Sequence, residues 1–204
     1  MLKYLLLSFL RHLVRPRMVY GYRRADGTWL AHTRISTATD IENPQQLVIE
    51  DHVFIGHFNF IDASGGLHLG EGTQVTNHVS ILSHSSHRAG RLMGRAYWGE
   101  PQPVGFVRQP THIGPYCFLG AGSVVMPGSR LGRGVLVRAH SYVDGSFPDY
   151  AVVAGQPAVV VGDVRELDRR WIEEHPHIAS LYCGVGWQAA LRPTPQDPGK
   201  EGDA

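Results

Sequence analysis

At 204 residues the chain has the length of one domain with tails, and 43% hydrophobic, 9% aromatic and 18% charged residues exclude a disordered protein. With Lys and Arg at 19, Asp and Glu at 18 and a formal charge of +1, there is no broad cationic field for nucleic-acid phosphates. Cys117 and Cys183 lie far apart without metal-type spacing, which argues against a disulfide scaffold or cysteine-built zinc site and fits a reducing, cytoplasmic setting.

In residues 1–15, Leu2, Leu5, Leu6, Phe9, Leu10 and Leu13 recur at the spacing of one helix face, with Lys3, Arg11, His12 and Arg15 between them. This predicts an amphipathic helix too short to span a bilayer. The Arg15-Pro16-Arg17 that follows is not the small-residue cleavage site of a signal peptide. Two roles stay open for it: a packing or oligomer-contact helix, or a peripheral contact with the inner face of a membrane.

From Ile49 the rhythm changes to a period of six. Aliphatic residues stand at Ile49, Ile55 and Ile61, at Leu69, Val75 and Ile81, and at Ile113, Leu119, Val125, Leu131, Val137 and Val143. Glycine follows at Gly56, Gly70, Gly114, Gly120 and Gly132, and a small or β-branched residue stands four places on at Val53, Thr73, Val79, Cys117, Ser123, Ser129, Val135 and Ser141. Asn59 is the polar exception. Hexads fit neither a helix nor a hairpin stack; they fit an all-β coil of short strands, three hexads to a triangular turn, with the aliphatic residues inside. Cys117 then reads as a small inward residue.

The beat stops between Ile81 and Ile113, so residues 83–110 leave the coil as an excursion loop that begins Ser83-His84-Ser85-Ser86-His87 and contains Arg91, Arg95, Tyr97 and Trp98. Beyond the coil, residues 164–174 read as a helix with Asp163 as N-cap and Pro176 as its end, and residues 193–204 as a disordered tail. The predicted organisation is 1–45 N-terminal helix and lead-in, 46–162 coil and 163–204 C-terminal helix and tail.

The hexads, together with Ile113-Gly114-Pro115, Phe118-Leu119-Gly120-Ala121-Gly122-Ser123-Val124-Val125-Met126-Pro127-Gly128 and Tyr150-Ala151-Val152-Val153-Ala154-Gly155-Gln156-Pro157-Ala158, resemble the hexapeptide-repeat acyltransferases, in particular their sugar O-acetyltransferase-like branch. The resemblance covers about residues 49–161. It implies a left-handed parallel β-helix, a homotrimer with active sites between subunits, and acetyl-CoA as acyl-donor substrate, with no metal.

It also implies a histidine base at the root of the excursion, with His87 the first choice and His84 the second. Imidazole suits the task because it titrates near neutral pH and can take the proton of an attacking hydroxyl. Asn59, Asp62, Asn77 and Trp98 are the implied acceptor-binding residues, although Asn59 equally fits an internal hydrogen-bonded ladder and Asp62 a turn cap. For the donor, Gly120, Ala121 and Ala139 are expected beside the pantetheine arm, with the Ala121 N–H facing the oxyanion and Arg138 near the phosphates. Two departures bear on the donor: Asp144-Gly145 and Val159 stand where relatives carry cations, and Lys3 and Lys200 both fall outside the repeats. Arg138, His140 and Arg165 are left as phosphate partners.

The expected activity is acetyl transfer to a hydroxyl of a sugar or polysaccharide precursor. Two rivals share the coil. One is a zinc hydratase of the carbonic anhydrase type, with three histidines from adjoining subunits, for which His52 and His57 have a usable spacing. The other is a non-catalytic trimeric scaffold.

Overall fold

In a computed structural model, which describes residues 2–192, the six-residue beat becomes a coil with three parallel β faces. The first face stacks Trp29–Ser36, Phe54–Ile55, Gln74–Val75, Phe118–Leu119, Leu136–Val137 and Ala151–Gly155. The second stacks Asp40–Glu42, Phe60–Asp62, Ser80–Ile81, Val124–Val125 and Tyr142–Val143. Leu47–Ile49, Leu67–Leu69, Thr111–Ile113, Arg130–Leu131 and Ser146–Phe147 make the third.

Strand register places the aliphatic residues directly over one another: Ile35, Ile55, Val75, Leu119, Val137 and Val153 on the first face, and Ile41, Ile61, Ile81, Val125 and Val143 on the second. Inside the stack these columns are 0–1% exposed, and the small residues four places on are equally buried. Each such side chain removed from water contributes roughly 1.5–3 kcal/mol, so the columns hold the coil together. Cys117 is one of the small inward residues, its thiol pushed up to about 12 by burial.

The coil begins earlier than the period of six assigned it. Arg34 and Ile35 already pair in parallel with Phe54 and Ile55, and Ile41 with Ile61, so the first turn lies inside the predicted lead-in. Ile35 and Ile41 are six apart, but the next inward residue, Ile49, comes eight later, which hides the beat.

At ten turns between faces the third residue after the inward one lies in the left-handed region. His52, Phe58, His78, Tyr116, His140 and Tyr150 have φ of 58–62°, with glycine at the equivalent Gly72, Gly122, Gly128 and Gly134. An aromatic ring of one coil lies over the glycine of the coil before it: Tyr116 over Gly72, His140 over Gly122 and Tyr150 over Gly134. The glycines that directly follow the aliphatic residues serve close approach instead: a Cβ at Gly120 would come 2.5 Å from the Ala139 nitrogen of the next coil.

Both ends of the first face finish in a reversed strand. Met18–Arg23 pairs antiparallel with Trp29–Ser36, and Ala158–Asp163 antiparallel with Ala151–Gly155. Helix α1 (Leu2–Val14) precedes the first of these strands. The excursion is a folded insertion rather than a plain loop. His84–Ser85 and Val107–Arg108 pair antiparallel as its neck, and helix α2 (His87–Met93) and a 3₁₀ turn, Gly94–Gly99, follow the neck's first strand. Helix α3 spans Val164–Glu174 as expected, and the Asp163 carboxylate accepts the Arg165 N–H at 2.8 Å. Helix α4 (Trp187–Ala190) ends the described chain, and the predicted tail lies outside the described residues.

Candidate active site

The corner between the second and third faces is where the beat lengthens. Ile61 is followed by the next inward residue, Leu69, eight places on, and one coil later the same corner opens into the excursion. The extra backbone needs acceptors, and Asp62 supplies them. Its buried carboxylate accepts the Ser64 N–H at 2.9 Å on Oδ1. On Oδ2 it accepts the Ser83 N–H (2.9 Å), the Ser83 hydroxyl (3.0 Å), the His84 N–H (3.1 Å) and His84 Nδ1 (2.7 Å). Burial by itself would raise the Asp62 pKa, but the donors from Ser64, Ser83 and His84 outweigh it and hold the carboxyl well below the usual carboxylate range.

An ionised carboxylate only accepts, so this contact assigns the proton of neutral His84 to Nδ1 and leaves Nε2 as the basic nitrogen. The Ser64 hydroxyl lies 2.8 Å from the same Nδ1, and Phe106 stacks on the ring with centroids 5.6 Å apart. The imidazole is thus fixed from two sides while its side chain stays 34% exposed. Phe106 also lines a cleft of about 420 Å³ together with Glu100, Pro101, Gln102, Pro103 and Arg108. Chemically the arrangement is an oriented imidazole able to take a proton, beside a recess with an aromatic wall and polar groups of both signs.

His87 has a different setting. It is the first residue of α2, it is exposed, and its Nδ1 meets the Ser85 hydroxyl at 2.7 Å. Asn59 uses both ends of its amide within the coil, donating to the Thr76 carbonyl at 2.8 Å and accepting the Val79 N–H at 2.8 Å. It is 3% exposed, so of its two readings the ladder is the one observed. Asp62 likewise binds the turn and His84. Asn77 is exposed, with its Oδ1 accepting the His57 N–H at 2.7 Å. Trp98, 87% exposed beside Tyr97, is not among the residues that line the cleft. Ser64, Phe106 and Arg108 were not singled out by sequence; a Ser two places after the Asp in an overlong corner is the one signal that pointed there.

The donor-side residues cluster at the corner between the first and second faces. Earlier at this corner a side chain from the following coil bonds the corner N–H, Asn77 serving His57 at 2.7 Å, and Asp149 does the same for Arg133 at 2.8 Å at the corner between the third and first faces. Ala121 is followed one coil on by Ala139, whose side chain has no acceptor, and the Gly120 N–H is bonded to the Val137 carbonyl at 2.8 Å. Arg138 and His140 are exposed at this corner. Arg165 is engaged elsewhere, paired with Asp163 and donating to the Ala190 carbonyl at 2.8 Å, which removes it as a phosphate partner.

For a metal, His32, Asp51 and His52 form one group among the described residues, with ligand atoms within 4.8 Å of one another, and His57 is not part of it. The two imidazoles stack, 13° from parallel with centroids 4.5 Å apart. Lone pairs in the planes of parallel rings run side by side rather than converge, and the Asp51 Oδ1 is taken by the N–H groups of His32 and His52. This set does not fit a bound zinc as it stands.

A family model described as Bacterial transferase hexapeptide (six repeats) matches residues 110–145. A serine acetyltransferase of Mycobacterium tuberculosis is 30% identical over 147 residues, 71% of this chain and 59% of that protein. A putative lipopolysaccharide biosynthesis O-acetyl transferase of Escherichia coli is 39% identical over 59 residues, 29% of this chain and 30% of that one. The chain therefore spans less than two thirds of the length of these curated relatives. Among solved structures, a variant of an N-acyltransferase from Bacillus cereus, in complex with dTDP and coenzyme A, superposes with a TM-score of 0.52 at 20% identity, covering 70% of this chain and 88% of that one. With the hexads, the three-faced coil and these matches in hand, the coil is a left-handed parallel β-helix, its residues 110–145 carry the bacterial transferase hexapeptide repeat, and the chain is similar to acyltransferases built on that repeat.

Proposed function

We propose that the protein transfers an acetyl group from acetyl-CoA to a hydroxyl of a sugar or polysaccharide precursor, with His84 rather than His87 as general base. The observation that carries the choice is the Asp62–His84 contact of 2.7 Å beside the cleft. Asp62 fixes the tautomer and steadies the imidazolium that forms, which a hydroxyl partner such as Ser85 does less well.

In the reaction, His84 Nε2 removes the acceptor hydroxyl proton as that oxygen attacks the thioester carbonyl carbon. The Ala121 N–H stabilises the oxyanion of the tetrahedral intermediate. Collapse breaks the carbon–sulfur bond, and the imidazolium returns its proton to the departing thiolate. The pantetheine arm runs along Gly120, Ala121 and Ala139, with Arg138 and His140 toward the phosphates. His84 and Ala121 flank the second face from opposite ends, so a chamber containing both is assembled between copies of a homotrimer. The face of Phe106 and the polar groups of Glu100, Gln102 and Arg108 suit the apolar face and hydroxyl edge of a sugar ring. The similarity to an Escherichia coli protein described as a putative lipopolysaccharide biosynthesis O-acetyl transferase supports that class.

Thiol release from acetyl-CoA, measured with a panel of sugar acceptors, tests this reading. His84→Ala is expected to lower kcat/KM by about 10²–10⁴-fold and His87→Ala by less than about threefold. The reverse ranking would transfer the role to His87, and full turnover in both variants would remove histidine from the mechanism.

A further inference from the structure

We propose that α1 docks the protein on an anionic lipid bilayer, lying in the plane of the interface. Every described side chain from Lys3 to Arg15 is exposed, including Leu5 at 63%, Leu6 at 57%, Phe9 at 59% and Leu13 at 51%. At about 100° per residue, Leu5, Leu6, Phe9, Leu10 and Leu13 share one arc of about 140°, with Lys3 and His12 on its flanks and Arg11 on the opposite side. What ties the helix to the coil lies beyond its C-terminal end. The Arg17 guanidinium bonds the His12 carbonyl at 3.0 Å, and the Arg17 backbone exchanges hydrogen bonds with Thr37 at 3.0 and 2.8 Å. The apolar arc is therefore presented outward on a fixed mount.

Charge identifies the occupant. Lys3, Arg11, Arg15, Arg17, Arg23 and Arg24 all precede the first acidic residue, Asp26, so a chain of formal charge +1 carries a wholly cationic N-terminal segment. A second copy of α1 packed against the first would bring like charges together with no carboxylate in the helix to pair them. A bilayer with anionic head groups takes the leucines and phenylalanine into its acyl boundary and the cations against its phosphates. At 13 residues the helix is about 20 Å long, short of the roughly 30 Å needed to cross, and no described helix is long and apolar enough to do so.

Flotation of the full chain with vesicles tests this, comparing phosphatidylcholine alone with phosphatidylcholine containing about one third phosphatidylglycerol. Wild type is expected to bind the anionic vesicles at least tenfold more tightly, less so as salt rises. Leu6→Glu with Phe9→Glu should reduce that binding more than tenfold, and Arg11→Glu with Arg15→Glu should reduce it to the phosphatidylcholine level. Thermal melting of both variants should match wild type, because the helix stands off the coil. Equal binding to both vesicles, failure to float with either, or undiminished binding by the Leu6→Glu, Phe9→Glu variant would overturn the proposal. So would an apolar face covered by a second copy, seen as a lipid-free assembly that this variant splits and that floats with neither vesicle.

Discussion

Two corners of the same prism behave differently. Between the first and second faces the inward residues are always six apart, as in Ile55 to Ile61, Val75 to Ile81, Leu119 to Val125 and Val137 to Val143. Between the second and third faces the spacing runs to eight from Ile61 to Leu69, then to the whole excursion from Ile81 to Ile113, and back to six from Val125 to Leu131. A corner of constant length lets each coil satisfy its backbone on the next one, with glycine where the chains come closest. A corner that lengthens leaves N–H groups without a coil partner, and a buried carboxylate collects them. Regularity supplies stability here, and the interruption supplies a place for a charged group and an imidazole.

The sharpest way to break this contrast is Asp62→Asn, which keeps the shape but turns an amide toward donors. We expect kcat to fall by about 10³-fold and the fold to lose roughly 2–4 kcal/mol at neutral pH, read by turnover and by urea melts. Because the folded-state pKa lies below the unfolded value, the carboxylate's contribution is complete above about pH 5. It fades as pH falls through about 4 toward the folded pKa, so the stability gap to the variant should narrow on acidification. At the regular corner the effects should be on stability alone. Ile55→Ala, fully buried, should cost about 2–5 kcal/mol, with the turnover of folded protein unchanged. Gly56→Ala places a Cβ 2.7 Å from the Thr76 carbonyl oxygen and should cost about 1–3 kcal/mol in the same melts. Asn77→Ala removes the acceptor of the His57 N–H and should cost about 0.5–1.5 kcal/mol. An accompanying rise in acceptor KM would instead give Asn77 a ligand role.

The coil was legible because burial repeats: once three hexads close a turn, the same aliphatic position recurs, and the position four later must be small. Its first turn carries no visible period because the lengthened corner between Ile41 and Ile49 breaks the beat. The interruption at 83–110 marks the candidate site, yet a preference between His84 and His87 does not follow from local spacing. The residue that distinguishes them, Asp62, is 22 positions away and meets His84 only through the stacking of coils. The cleft left still less trace, since residues 100–108 carry no periodicity that would bring Phe106 over an imidazole. Asn59 shows the converse: a polar residue on an inward position reads as a ligand until both ends of its amide are found bonded inside.

The antiparallel strands at both ends of the first face bear on how copies associate. A stack of parallel strands is in principle extensible, each terminal rung offering its amides to another molecule arriving end-on. Here such an arrival would meet a rung running the opposite way, out of step with the parallel ladder it would have to continue. On that face the parallel ladder therefore cannot simply continue from one copy into the next along the axis.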